Sequence, residues 1–360
     1  MKLVVDARYT RTDQLDGISR YGSNLISAAS KLTEVLMLIN DERQLQFLPD
    51  NVPWVKINSP LSPAELLVAR RINKLGADVV FCPMQTMGSF GRRYGLILTI
   101  HDLIYYRHPK PPGFLPLPVR LLWRVYHKAY WPQRLLLNRA DTVATISRTT
   151  RSLLQQTRLT QREVRIVSNA AQPLGPPRDP SAAVGKDLLY MGSYMPYKNV
   201  ETLIDAMALL PGYRLHLLSP IQGPRREELA DRAADAAQLV FHNGISDGDY
   251  LHLLHEASAL VTLSRDEGYG LPLIEAMAAG TPVIASDIPI FREVAENVAL
   301  HVDPDDPEAF AAAVRELEDP ARRRRASAEG VLRAAEYDWD SSAAQLVAAA
   351  EEVLARRRAG

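Results

Sequence analysis

The stretch Ser264-Arg-Asp-Glu267-Gly-Tyr-Gly-Leu-Pro-Leu-Ile-Glu275-Ala-Met-Ala-Ala-Gly280-Thr-Pro-Val-Ile-Ala decides the fold. The apolar run Leu260–Leu263 precedes it, and it ends in a second run, Val283–Ala285. Both are short and lack clean alternation, the pattern of strands covered on both faces. Between them Leu273–Ala279 reads as a helix. Pro272 suits its first turn, and Gly268 and Gly270 tighten the loop before it. Strand, loop, helix and strand in that order build a parallel sheet. The loop also carries chemistry. Glu267 lies within it and Glu275 follows eight positions later, so two carboxylates flank a turn that offers backbone N–H groups. Carboxylates accept well from vicinal hydroxyls, which makes a sugar or a ribose a natural ligand.

The same alternation extends along the chain. Further strands are expected at Leu3–Val5, Val35–Ile39, Val55–Ile57, Val79–Cys82, Leu96–Ile100, Val143–Ile146 and Val164–Val167. A second set falls at Leu188–Met191, Arg214–Leu218, Leu239–Phe241 and Leu300–Val302, with helices such as Asn199–Leu209 and Asp249–Ala257 between. The reading is α/β, with two doubly wound parallel sheets. Ala171-Gln-Pro-Leu-Gly-Pro-Pro-Arg-Asp-Pro-Ser separates them, because its prolines suit neither a helix nor a central strand. Trp339 to Ala359 is one long Ala-rich helical pattern ending in Arg356-Arg-Arg, which suits a helix C-terminus.

The 360 residues include 42 Lys+Arg and 42 Asp+Glu, at 47% hydrophobic and 23% charged. That is an ordinary globular composition, long enough for two domains. The zero net charge conceals an asymmetry: residues 1–180 carry 25 basic and 13 acidic residues, residues 181–360 carry 17 and 29. One cysteine, Cys82, excludes an intrachain disulfide and a cysteine metal cluster, and its apolar run reads as core. Leu3-Val-Val is too short for a signal core, and no apolar stretch approaches the ~18–20 residues that span a bilayer. A cytoplasmic protein is expected, one that could still lie on the inner face of the plasma membrane.

Ligands of open α/β sheets bind at the carboxyl ends of strands. Three further segments fall there. Gly17 in Asp16-Gly-Ile-Ser-Arg-Tyr stands at a helix start, where free N–H groups favour phosphate, or is simply a turn. Gly192-Ser-Tyr-Met-Pro-Tyr-Lys198-Asn199 puts a cation at a glycine-containing turn, well placed for a diphosphate; a solvated lysine beside an Asn199 N-cap is the plain alternative. His101-Asp102 ends the strand Leu96–Ile100, with capping by Asp102 as the plain alternative. Asp247-Gly-Asp249, Asp303-Pro-Asp305 and Asp338-Trp-Asp340 each precede a helix and read as caps, so no metal is assigned.

Taken in order, Asp16-Gly-Ile-Ser-Arg-Tyr, Thr99-Ile-His-Asp-Leu, Gly192…Pro-Tyr-Lys-Asn and Glu267-Gly-Tyr-Gly-Leu-Pro…Glu275 resemble the retaining family-four glycosyltransferases of the GT-B fold. The resemblance covers nearly the whole chain. It implies two Rossmann-like domains facing a central cleft: an acceptor-binding domain over 1–172, a linker over 173–186 and a nucleotide-sugar domain over 187–339, with the helix of about 340–360 able to pack back on the first. It implies that His101, Lys198 and Glu267 are catalytic. Glu275 would bind the ribose. Glu267, Gly268, Tyr269, Gly270 and Leu271 would hold the donor sugar, and Lys198 the diphosphate. The Gly17 loop would close over the phosphates, Ile245 and Asp247 would line the base pocket, and Asp16, Asp102 and Tyr105 would serve the acceptor side. Three departures stand out: Tyr197 and Ser193 where the family often has arginine, and Asp16 where it often has glycine. The cationic clamp then leans on Lys198, with Arg265 a candidate to share it.

The activity implied is metal-independent transfer of a hexose from a nucleotide sugar to a saccharide or lipid-linked acceptor, with no cofactor. The Thr-Ile-His-Asp-Leu phrase resembles mannosyltransferases of polysaccharide and glycolipid assembly. This favours GDP-mannose, with UDP-sugars as the other option; Asp247 could accept from guanine N–H groups. A nucleotide-sugar epimerase and a non-catalytic nucleotide-sugar-binding relative are the competing readings. Residues 103–140 hold no acidic residue but seven basic ones, with Phe114, Trp123, Trp131 and several tyrosines. Such a surface suits an anionic membrane or a lipid diphosphate, or is a solvated helical face. No nucleic-acid motif accompanies it, so no nucleic-acid partner is expected.

Overall fold

The computed structural model describes residues 1–13, 16–109, 120–121, 123–124, 129–172, 174–235 and 238–359. The chain forms two units, one of Met1–Ala170 with Asp338–Gly360 and one of Ala171–Tyr337. Among the described residues the first holds β1 (Lys2–Asp6), β2 (Glu34–Ile39), β3 (Trp54–Lys56), β4 (Val79–Cys82), β5 (Gly95–Ile100), β6 (Thr142–Thr145) and β7 (Glu163–Ile166). They form one sheet in the order β3-β2-β1-β4-β5-β6-β7, and every pairing is parallel. The second unit holds β8 (Asp187–Tyr190), β9 (Arg214–Leu217), β10 (Leu239–Phe241), β11 (Ala259–Thr262), β12 (Val283–Ser286) and β13 (Leu300–Val302). Their order is β10-β9-β8-β11-β12-β13, again all parallel. Each apolar run of the sequence appears as a strand, displaced by at most one residue.

The central strands are buried on both faces. Every residue of β4, β5 and β6 is buried, which is why these strands read as unbroken apolar runs. Thr99 in β5 satisfies its hydroxyl by donating to the Cys82 carbonyl at 2.9 Å, and Cys82 itself is fully buried. In each sheet the strand order reverses once, between β1 and β4 and between β8 and β11. The carboxyl ends at such a reversal splay apart and leave a crevice.

The helix Trp339–Ala359 belongs to the first unit and packs on the helix Gly17–Ala29. It buries Ala343, Leu346, Ala350 and Val353, spaced three to four apart on one stripe. Gly95 permits this approach: a Cβ there would stand 2.5 Å from Val353. Arg356 does more than meet a helix dipole, since it pairs with Glu163 at 2.5 Å and donates to the Thr142 hydroxyl at 2.6 Å. The proline-rich stretch is not a bare tether. Arg178 within it is buried and donates to the Ala257 carbonyl at 2.7 Å, while its backbone N–H donates to Ala279 at 3.0 Å. Burial, with nearby Arg323, lowers the Arg178 pKa to about 10.

Candidate functional site

The loops after β8 and β11 flank the strand reversal of the second unit. The β8 loop ends in the turn Pro196–Lys198, and the β11 loop carries Glu267. The two loops are joined by a backbone bond, Arg265 N–H donating to the Tyr197 carbonyl at 2.8 Å. Lys198 Nζ and Glu267 Oε2 form an ion pair, and both side chains are mostly buried, 12% and 19% exposed. The other Glu267 oxygen accepts from the Gly268 N–H at 3.0 Å. Tyr197, standing where an arginine was the family expectation, sets its ring 5.6 Å from Lys198 Nζ, within cation–π range. Tyr190 donates to the Ser193 carbonyl at 2.6 Å. Burial and the Glu267 carboxylate push its phenol well up, so it stays a donor.

Asn199 is not the helix cap its position suggests. It adopts φ 53° and ψ 41°, and its side chain makes no capping bond to the backbone of the following helix, Val200–Met207. Instead Nδ2 donates to the Pro304 carbonyl at 2.6 Å, and Oδ1 accepts from Thr202 at 2.8 Å. Gly270 is left-handed too, at φ 99°, and starts the helix Leu271–Ala278. A Cβ at Gly270 would lie 3.0 Å from Phe291, so glycine answers both conformation and space. Neither helix has a side-chain cap. Their first N–H groups are therefore the kind of donors that receive phosphate or a developing negative charge. Glu275 is buried on the second of these helices, as is Asp266 in the loop before it. Arg265 does not join the clamp, because its guanidinium is paired with Asp305. Ile245 and Asp247 follow β10, two strands away from β8. Ile245 is half-buried and Asp247 is exposed in the first turn of Asp247–Glu256, which Ser246 caps.

In the first unit His101 follows β5. Its Nε2 lies 2.7 Å from the Pro83 carbonyl and donates to it, which leaves the lone pair on Nδ1 in the neutral ring. Tyr21 meets the imidazole edge-on at 5.1 Å. Burial lowers the His101 pKa, and the Pro83 carbonyl, Asp102 and Asp16 oppose that shift. Asp102 accepts from the Ile104 N–H at 2.9 Å. Tyr105 is partly exposed and edge-on to Trp123 at 5.0 Å; burial and Asp102 raise its phenol pKa. Asp16 caps the helix Gly17–Ala29, accepting from Ser19 N–H at 2.8 Å and from its hydroxyl at 2.7 Å. A Cβ at Gly17 would meet only open space.

One network was not singled out in the sequence. Arg8 is buried between two carboxylates, Asp6 at 2.7 Å and Glu65 at 2.6 Å. Glu65 also accepts from the Gly88 N–H at 3.0 Å, and Tyr9 donates to the Thr86 carbonyl at 3.0 Å. Together they hold the loop after β4, whose Pro83 carbonyl orients His101. The available signal was Asp6-Ala-Arg8: two charges directly after a buried strand need partners. Among the described residues, no group of three or more His, Cys, Asp or Glu side chains could hold a metal ion, and no helix is long and apolar enough to cross a membrane.

The low His101 pKa has a thermodynamic sign. Because the fold disfavours imidazolium, the unfolded chain takes up the proton first as pH falls below the ordinary histidine value of 6.5. The contribution is therefore present above that pH and is lost as pH falls towards the lower folded value. Urea midpoints at about pH 7.5 and about pH 5.5 are expected to differ less in His101→Gln than in the wild type. Equal slopes in the two proteins would overturn the buried neutral imidazole.

Comparison with known proteins sets this geometry in a family. The model for Glycosyl transferases group 1 matches residues 180–331, and the model for Glycosyltransferase Family 4 matches residues 16–173. O-antigen chain mannosyltransferase B of Escherichia coli is 32% identical over 168 residues, 44% of this chain and 44% of that protein. Phosphatidyl-myo-inositol mannosyltransferase of Mycobacterium leprae is 33% identical over 198 residues, 52% of this chain and 50% of that one. The matches thus span about half the length of these relatives. Among solved structures, Anabaena HepE in complex with UDP and glucose has a TM-score of 0.72 at 17% identity, over 98% of this chain and 100% of that one. Two family models that meet at the unit boundary, and a fold shared end to end, place the chain in the family-four glycosyltransferases of the GT-B fold.

Proposed function

We propose that the chain transfers a hexose, with retention of anomeric configuration and without a metal ion, from a nucleoside-diphosphate sugar to a saccharide or lipid-linked acceptor. The observation that carries this reading is the Lys198–Glu267 pair at the β8/β11 reversal, between two helix N-termini without side-chain caps. In the reaction the bond from the anomeric carbon to the diphosphate oxygen breaks, and its electron pair leaves with the diphosphate. Lys198 and the two helix N-termini stabilise that negative charge. The acceptor oxygen bonds to the anomeric carbon on the face the phosphate leaves, and its proton passes to the departing phosphate oxygen. Glu267 and the backbone of Gly268, Tyr269 and Gly270 hold hydroxyls of the donor sugar, next to Leu271. Glu275 takes the ribose hydroxyls, and Ile245 and Asp247 the base. On the first unit we assign His101 to the reacting sugar, the Gly17 turn to the phosphates, and Asp16, Asp102 and Tyr105 to the acceptor.

Mannose is the favoured sugar, because the curated relatives with matching segments include mannosyltransferases of an O-antigen chain and of phosphatidyl-myo-inositol, alongside glycogen synthase. GDP-mannose is accordingly the favoured donor. A UDP-sugar is the alternative, since HepE of the same fold was solved with UDP and glucose. We also propose an anionic membrane surface on the inner face of the plasma membrane as a partner. The support is the exposed Leu121, Trp131 and Leu135 among Arg120, Arg124 and Arg134; Lys110, Phe114 and Lys128 of this segment lie outside the described residues.

Incubation with labelled GDP-mannose and a saccharide or lipid acceptor tests the activity. Acceptor-dependent release of nucleotide is expected, with Lys198→Ala and Glu267→Ala each at least ~100-fold slower while still folded. Near wild-type turnover in either variant would overturn its role. An isomerised donor would establish an epimerase, and binding without turnover a non-catalytic relative. In a thermal-shift series, GDP is expected to raise the melting temperature more than UDP or ADP. Flotation with liposomes is expected to depend on anionic lipid; no difference from neutral liposomes would remove the membrane partner.

A further inference from the structure

We propose that a cavity in the first unit, between the helix Arg148–Gln156 and the edge strand β7, is a binding site for a phosphate-bearing anion. The cavity has a volume of about 430 Å³ and is lined by Arg151, Arg162 and Arg165 with Ser152 and Thr160, and by one carboxylate, Glu163.

That carboxylate is already committed. Glu163 pairs with Arg165 at 2.7 Å and with Arg356 at 2.5 Å, and Arg165 also meets Glu352 at 2.5 Å. Among the described residues, Arg151 and Arg162 have no counter-charge. Arg162 spends Nε and Nη2 on the neutral Asn138 carbonyl, at 2.9 and 2.7 Å, so its charge is left uncompensated. Arg151 is half-buried, and among the described residues its side chain has neither an ion pair nor a hydrogen bond. Arg165 Nε is buried without a partner. Arg151 and Arg162 thus bring two uncompensated guanidiniums to the wall of a polar cavity, an arrangement suited to a charge-assisted acceptor. Four guanidiniums stand against two carboxylates, an excess of two positive charges. A phosphomonoester dianion matches that excess. Its three terminal oxygens offer more acceptors than a carboxylate, for Arg151, Arg162 and the Ser152 hydroxyl together.

The phosphate could be carried by a soluble molecule or by a lipid headgroup. The second source has a structural link to the exposed helix Trp131–Leu137. Arg134 on that helix donates to the Arg158 and Thr157 carbonyls at 2.9 and 3.2 Å, in the turn that ends the helix Arg148–Gln156.

Arg151→Gln is the decisive variant, because among the described residues the Arg151 side chain makes no hydrogen bond or ion pair that the substitution would break. Equilibrium dialysis of radiolabelled inorganic phosphate is best done in a Lys198→Ala background, which removes the proposed diphosphate cation of the second unit. Lys198→Ala is expected to bind phosphate, and Lys198→Ala/Arg151→Gln at least ~10-fold more weakly. Lys198→Ala/Glu163→Gln is expected to bind more tightly, a gain that misfolding cannot imitate. Equal affinity in the three proteins, or no binding in any, would overturn the site. Phosphatidylcholine vesicles with and without phosphatidic acid then separate the sources. Arg151-dependent capture by phosphatidic acid identifies a headgroup, and Arg151-dependent binding of free phosphate alone identifies a soluble anion.

Discussion

Lys198 and Glu267 lie 69 residues apart in the chain, and their ion pair spans the point where strand order reverses in the second sheet. Removing both charges from most of their water is costly, and the cost is met only while each has a partner. The Gly268 N–H and the Tyr197 ring supply the rest of the compensation. A ligand that binds only one member strands the other. A bare anion would take Lys198 and leave Glu267 without its cation; a bare sugar would take Glu267 and leave Lys198 without its anion. A molecule carrying phosphate and hydroxyls together replaces both partners at once. In the proposed function, the pair would select a nucleotide sugar over either of its halves.

The pair is held in register by two left-handed residues. Asn199 and Gly270 each turn the chain sharply at the start of a helix. Glycine adopts that conformation freely, and asparagine tolerates it better than most residues. At Asn199 the local cost is offset by bonds to Pro304 and Thr202, so the loop after β13 helps to position Lys198. Had Asn199 capped its helix in the usual way, its amide would have occupied the N–H groups that are left for a phosphate. In the proposed function, the departure from the local capping rule and the opening of an anion site are one structural event.

The strands were legible because parallel strands buried on both faces read as continuous apolar runs, and the long closing helix because its pattern is unbroken. The Glu267-Gly-Tyr-Gly loop was legible because its glycines and proline constrain the turn locally. What escaped the sequence was set by distance along the chain. The partner of Arg8 is Glu65, 57 residues on, and the partner of Arg265 is Asp305, 40 residues on. No spacing rule reaches that far. Arg178 in the proline-rich stretch was hidden for the same reason, since its carbonyl acceptors lie 77 and 79 residues away. Asp16 shows the reverse case. Its spacing to Ser19 is that of a helix cap, and the structure makes it one.

Net charge is a poor guide to where an anion binds in this molecule. The first unit carries 27 basic and 16 acidic residues, the second 15 and 26, yet the loops proposed to hold the nucleotide sugar lie on the acidic one. Much of that acidity is neutralised in place: Asp187 by Arg214, Asp205 by Arg232, Glu201 by Arg225 and Asp287 by Arg292. At physiological salt the field of the remainder is screened within about 8 Å. For the diphosphate proposed above, the groups at hand are Lys198 and the first N–H groups of two helices without side-chain caps, whose attraction is short-range and directional. In the first unit the imbalance runs the other way. Arg134 and Arg162 are spent on neutral carbonyls, and among the described residues the Arg151 side chain has no polar partner, so positive charge of this unit is left without counter-charge at defined positions. Opposite totals in the two units are therefore compatible with anion recognition in both, because recognition depends on which charges are left unpaired rather than on their sum.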